Sequence, residues 1–185
     1  MNLWLRLLWV MLSALWRPAL DPRTGVSRVH FRVWPHDLDP NMHLNNGRYL
    51  TLMDLGRIDY VMRSGLWRPL WEQRWSPIIS TAAIRFRREL RPFEGFRIET
   101  RLVAWTDTTA VMEQVFVSDR SRVAARAFVK AGFYARKDRA YVTVKRVVEA
   151  LGASPEEAVS PPTPPEVEAF LKADGALRNP SDGPR

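Results

Sequence analysis

The chain has 185 residues, which suits one domain with extra length at its ends, and at 46% hydrophobic it can bury a core. Its 28 Lys+Arg outnumber 20 Asp+Glu for a formal charge of +8, a sign that fits nucleic acid, anionic lipid or a phosphorylated small molecule without choosing among them. The absence of cysteine excludes disulfides, thiolate zinc sites and cysteine nucleophiles.

Residues 1–20 stand apart as a hydrophobic segment. Leu3 to Trp16 is broken only by Arg6 and Ser13, with Trp4, Trp9 and Trp16 spread along it. As a helix this run would cover ~21 Å, short of a hydrocarbon core of ~30 Å. Tryptophan favours the headgroup zone, and Arg17, Arg23 and Arg28 follow as lipid contacts. Three readings stand: an interfacial anchor, a short span, or a helix packed on its own domain or on a partner. A signal peptide fits poorly, because no basic stretch precedes the apolar run and no small-x-small site follows.

Ser27 to Trp34 alternates and predicts a strand, and Pro35 and Pro40 mark the loop after it. A helix is predicted over 46–64, with Asn45 as its cap, Gly65 as its stop and Pro69 just beyond. Gly56 in mid-helix costs ~1 kcal/mol against alanine, a loss that close approach to a sheet would offset. Strand patterns follow at Ile84–Leu90, Phe96–Leu102, Val111–Val117 and Val123–Tyr134; in the first of these Arg88 falls on the apolar side. Tyr141 to Leu151 reads as a last strand passing into a short helix. Ser154 to Pro165 holds five prolines and reads as a linker, Glu166 to Ala173 as a short helix, and Gly175 to Arg185 as a mobile end. One strand, a long helix and then consecutive antiparallel strands make an α+β domain with the helix on one face of the sheet.

The richest run is Asp37 to Arg57, DLDPNMHLNNGRYLTLMDLGR. It places Asp37, Asp39, His43, Asn45 and Asn46 where a loop becomes a helix. A helix start exposes unpaired N–H groups and partial positive charge, which can polarise a carbonyl or hold an oxyanion. A carboxylate beside it can direct a water or attack directly. These are the parts of a hydrolytic site for an acyl compound.

This run resembles the motif of the hot-dog thioesterases, in particular the 4-hydroxybenzoyl-CoA thioesterase-like branch: roughly D-x-D-x-x-G-H-x-N-N-x-x-Y, followed by a helix bearing an acid and an arginine. Asp37, Asp39, His43, Asn45, Asn46 and Tyr49 match it, and Asp54 and Arg57 fit the helical continuation. The later RFRRELRPFEGFRIETR is similar to the family's next hairpin, and the likeness covers about residues 27–135. The apolar leader is like that of the group around thioesterase superfamily member six. Met42 stands where the family usually has glycine, and could narrow or reshape the site.

The resemblance implies a single hot-dog domain, residues 21–140, with a long central helix wrapped by an antiparallel β-sheet; residues 141–185 form a C-terminal extension. It implies an acyl-CoA thioesterase that needs no cofactor, coenzyme A being part of the substrate. Asp39 takes the role of nucleophile or general base, and the backbone N–H of Asn46 polarises the thioester carbonyl. Asp39 is otherwise a loop carboxylate capping a turn. His43 orients Asp39, contacts substrate, acts as a base, or is a structural histidine. Asn45 and Tyr49 border the substrate site or serve the architecture. Asp54 is a rival acid or the partner of Arg57 at i+3. Arg85 and Arg87, with Arg88, Arg91, Arg122, Arg126 and Lys130, are candidates for the coenzyme A phosphates; a solvated charged face is the alternative. His36, Asp37, Asp39 and His43 crowd one loop without metal-ligand spacing, so no metal is expected. Trp67, Trp71 and Trp75 line an acyl pocket, meet a membrane or fill a satellite core. The implied assembly is a homodimer or higher homo-oligomer. The expected location is cytoplasmic, with membrane association through residues 3–16 left open, and no nucleic-acid partner is expected. The alternative function is a non-catalytic acyl-lipid-binding or membrane-scaffold protein of the same fold.

Overall fold

The computed structural model describes residues 2–177. The elements run α1 (Asn2–Ala14), β1 (Ser27–Arg32), α2 (Asn46–Arg63), α3 (Trp67–Glu72), β2 (Trp75–Phe86), β3 (Gly95–Trp105), β4 (Thr109–Ser118), β5 (Val123–Ala135), β6 (Ala140–Tyr141), α4 (Val144–Ala150) and α5 (Pro165–Ala176). The strands form one antiparallel sheet in the order β1-β3-β4-β5-β2, and β6 pairs with the end of β5. This is the predicted α+β arrangement, a curled sheet around one long helix.

The helix α2 forms where its cap and its apolar spacing predict. The Asn45 side chain accepts from the Gly47 N–H at 2.8 Å, satisfying one of the open donors of the first turn. Tyr49, Leu52, Met53, Gly56 and Tyr60 recur at three and four residues and are buried together. Gly65, at φ +79°, stops the helix in a conformation that suits glycine. Of this stripe, Tyr49, Leu52 and Met53 meet Phe96 and Ile98 of β3, Phe116 of β4, and Ala125, Ala127 and Val129 of β5, while Tyr60 packs with Leu66 and Met112 in a second cluster. Each large apolar side chain so removed from water contributes about 1.5–3 kcal/mol.

Gly56 is the point of closest approach between helix and sheet. A Cβ there would stand 2.7 Å from Thr100 Oγ1 and 3.0 Å from Gln114 Nε2. Gln114 is fully buried and donates to Met53 O at 2.9 Å and to Thr100 Oγ1 at 3.0 Å, tying the helix backbone to two strands. The helix-weakening glycine is thus offset by packing that no larger residue permits.

Residues pointing to the other face alternate with these along the strands. There α5 lays Val167 and Phe170 against Ala104, Val111 and Phe128. Two ion pairs hold it, Arg126 to Glu166 at 2.9 Å and Lys130 to Asp174 at 2.6 Å. The C-terminal extension is therefore part of the packed structure as far as Ala176; the rest of the expected mobile end, 178–185, lies outside the described residues.

The leader packs on its own domain. In α1, Val10 is fully buried, and Leu3 and Leu7 join the core beside α2. The opposite side carries Trp4, Leu5, Leu8, Trp9 and Leu12, and Leu15 and Trp16 follow just past the helix end, all exposed, Trp16 by 78%. Among the described residues no helix is long and apolar enough to cross a membrane.

One strand departs from expectation. The pattern at Ile84–Leu90 predicts a strand there, whereas β2 begins at Trp75 and ends at Phe86. The N–H groups of Arg87 and Arg88 both donate to Ala124 O, at 2.8 and 3.1 Å, so pairing breaks before Arg88. That is why Arg88 falls out of the alternation. The first part of β2 holds Pro77 and shows little alternation because it is an outer strand, paired only with β5.

Candidate active site

The loop between β1 and α2 folds back on itself. Leu38 and Leu44 form an isolated bridge, and the Asp39 N–H donates to His43 O at 2.9 Å. The Asp39 carboxylate closes this loop by accepting from the N–H groups of Asn41 at 2.9 Å and His43 at 3.2 Å through Oδ1. Its short side chain makes an Asx turn, the reason aspartate suits this position. The N–H of Asn46 begins α2 three residues after His43, and among the described residues nothing accepts it.

Met42 occupies the tip of the same loop at φ +61°. This is the left-handed region, where a side chain costs about 1–2 kcal/mol and glycine costs little. The chain keeps the backbone shape that glycine favours while adding a side chain 58% exposed.

The His43 imidazole does not bond Asp39. Its Nε2 lies 3.0 Å from Glu89 Oε2, and only the His43 backbone reaches Asp39. Glu89 is held in turn by Arg91, 2.6 Å away. That hydrogen bond holds the Glu89 carboxyl below its ordinary range, with His43 adding to the effect. The Leu44 N–H donates to Leu90 O at 2.9 Å, which joins this segment after β2 to the candidate loop. Glu89 is the neighbour that sequence reasoning missed, since in the chain it is one charge in an alternating run.

Tyr49 is buried, its ring centroid 5.0 Å from Phe86 and 4.8 Å from Phe116. Burial, aided by Glu94, pushes its phenol up to about 12. It forms an aromatic wall just inside the start of α2. Asp54 is 52% exposed and pairs with Arg57, which also donates to Gln114 Oε1 at 2.5 Å. Burial pushes the Arg57 guanidinium below its ordinary value, and Asp54 opposes the shift.

Arg85, Arg87 and Arg88 are exposed, and among the described residues none has a carboxylate partner. They flank Phe86, which touches Tyr49. Arg126 and Lys130 are placed differently, engaged with Glu113, Glu166 and Asp174 on the face under α5. Glu113, buried between Arg101 and Arg126, would otherwise be an unpaired charge in the interior. The Asp37 carboxylate is paired with Arg6. Of the tryptophans, Trp75 fills a small core with Ala135 and Val142, while Trp71 is exposed.

The protein is similar in sequence to Protein THEM6 of Xenopus laevis, 36% identical over 140 residues, covering 76% of this chain and 64% of that protein. The chain thus spans less than two thirds of that relative's length. Its fold is similar to that of the probable thioesterase YbaW from Escherichia coli, with a TM-score of 0.64 at 20% identity, covering 68% of this chain and 96% of that one. It is also similar to BH1999 gentisyl-coenzyme A thioesterase, with a TM-score of 0.59 at 22% identity, covering 66% and 98%. At such identities these two likenesses show the fold. The family model described as the thioesterase-like superfamily matches residues 33–171, a span that takes in the Asp39 loop, α2 and the whole sheet from β2 onward, and the chain belongs to that superfamily.

Proposed function

We propose that the protein hydrolyses an acyl-CoA thioester to a carboxylic acid and free coenzyme A. One observation carries the reading: Asp39, fixed by its own turn, shares a closed loop with the open N–H of Asn46 at the start of α2. Asp39 takes a proton from water, whose oxygen attacks the carbonyl carbon. The negative charge that forms on the carbonyl oxygen is held by the Asn46 N–H and the positive end of α2. A single such donor contributes about 3–4 kcal/mol at the transition state. The carbon–sulfur bond then breaks, and the leaving thiolate takes up a proton. Attack by the carboxylate itself, followed by hydrolysis of the anhydride, is the other route open to the same pair.

In this reading Asn45 and Tyr49 border the acyl group. Arg85 and Arg87 meet coenzyme A phosphates, supported by their exposure and their lack of carboxylate partners. The protein acts as a homo-oligomer, supported by the open outer edge of β2, which leaves Ile79 and Phe86 exposed. The outer face of α1 rests on a membrane surface, supported by its exposed tryptophans and leucines. The test is a panel of acyl-CoAs with free-thiol detection, on wild type and Asp39→Asn. Loss of turnover by about 100-fold or more in a folded variant is expected; unchanged turnover overturns the mechanism.

Met42 favours a second reading, a binder of acyl lipids without turnover, because its side chain stands where the family's glycine leaves room. That reading expects acyl-CoA binding by calorimetry with no thiol release from wild type.

A further inference from the structure

We infer that Arg6, on the leader helix, is a positioning residue for the proposed hydrolysis, acting through Asp37 on the loop that carries Asp39. The inference rests on the thioesterase reading above.

Asp37 is 1% exposed, and its carboxylate is gripped by Arg6 with Nη2 2.6 Å from Oδ2 and Nη1 3.3 Å from Oδ1. The Trp34 N–H also donates to Oδ2, at 3.0 Å, and Arg48 Nε and His36 Nε2 each lie 3.4 Å from Oδ1. A carboxylate this deeply buried needs a charged partner, and the Arg6 fork supplies the two shortest side-chain contacts. The backbone of Asp37 serves the site. Its carbonyl accepts the N–H of Asn45 at 2.9 Å, and Asn45 is the cap of α2 immediately before Asn46. Two residues on in the chain is Asp39 itself. Asp37 therefore anchors both arms of the candidate loop, the one bearing the carboxylate and the one leading to the open N–H. A displacement of Asp37 moves both, and an error of about 1 Å in such geometry can reduce turnover about 100-fold.

The leader has a second clamp that provides a control. Arg17 Nη1 lies 2.8 Å from Asp59 Oδ1, and Asp59 is fully buried near the far end of α2, where Ser27 and Arg63 also bond it. This pair holds the leader without touching the loop.

The test uses the full chain as Arg6→Gln, Arg6→Lys and Arg17→Gln, each checked for folding by circular dichroism and assayed for kcat and KM on the acyl-CoA that wild type turns over. The expected result is a 10- to 100-fold fall in kcat with KM changed less than about threefold in Arg6→Gln. Arg6→Lys, which keeps the charge and loses the fork, recovers part of kcat, and Arg17→Gln loses thermal stability with kcat within about twofold of wild type. Equal losses of kcat in the Arg6 and Arg17 variants, or a loss that tracks only the folded fraction, overturns the positioning role while leaving the thioesterase reading intact. If wild type turns over no thioester, both fall together.

Discussion

The imidazole of His43 pairs with Glu89 and not with Asp39: its Nε2 is 3.0 Å from Glu89 Oε2, while Asp39 receives only the His43 backbone N–H at 3.2 Å. This separates the two polar residues that look most alike as catalytic candidates. His43 joins the loop to the segment after β2, and in the proposed mechanism the acid–base role falls to Asp39. His43→Gln should therefore keep kcat within about tenfold of wild type, whereas Asp39→Asn should lose about 100-fold or more. Side-by-side steady-state assays decide it, and comparable losses would make His43 part of the proton transfer.

Gly56 tests the helix–sheet contact. An added Cβ would meet Thr100 Oγ1 at 2.7 Å, Gln114 Nε2 at 3.0 Å and Ile98 Cγ2 at 3.2 Å, all on buried side chains. Overpacking of this kind costs about 1–3 kcal/mol, and the gain in helix propensity of about 1 kcal/mol offsets part of it. Gly56→Ala should cost a net ~0–2 kcal/mol of unfolding free energy, read as a lower urea midpoint with the slope unchanged. A stabilising result would show that the helix can lift from the sheet.

Met42 tests backbone strain. At φ +61° its side chain carries a conformational cost of about 1–2 kcal/mol that glycine avoids, less about 0.5–1 kcal/mol for the freedom glycine adds to the unfolded chain. Met42→Gly should be neutral to ~1.5 kcal/mol more stable and should raise turnover of bulky acyl-CoAs. A marked loss of stability would mean that the methionine makes contacts outweighing the strain.

Tyr49 gives a pH dependence. Its phenol, raised mainly by burial to about 12 in the folded protein, ionises near 10.0 when unfolded. A raised value means that the stability held by the neutral ring is fully present below ~10 and is lost as pH rises through about 12. Stability should fall across this alkaline window. Burial also raises Tyr60, so Tyr49→Phe should reduce the slope and Tyr49→Phe with Tyr60→Phe should nearly remove it. Chemical denaturation from pH 9 to pH 12 measures the effect; an unchanged slope in the double variant would assign it to other groups.

Much of the fold was legible because it is written in local spacing. The alternation of Val29 with Arg28 and His30, and of Ile98 with Arg97 and Glu99, follows from strands with one buried face. Asn45 and Gly65 bound α2 as a cap and a stop should. The start of β2 was not legible: Trp75 to Ala83 includes a proline and lies on the outer edge of the sheet, where little burial enforces a pattern. In the site, the Asp39 turn and the α2 start could be found from residue type and order. The Glu89 partner of His43 lies 46 residues away, too far along the chain for local spacing to reveal it.

By itself the sequence determined that one helix would lie on an antiparallel sheet and that a carboxylate would precede that helix, since both follow from periodicity and capping within a few residues. Tertiary structure alone decided which charges meet. Arg6 grips Asp37 and Arg17 grips Asp59 across 31 and 42 residues of chain, so the apolar leader is held to the domain with its inner face buried and its tryptophan-bearing face open. The physical reason is that a buried carboxylate takes whichever cation the folded chain brings within reach, and that choice belongs to packing, not to neighbouring residues.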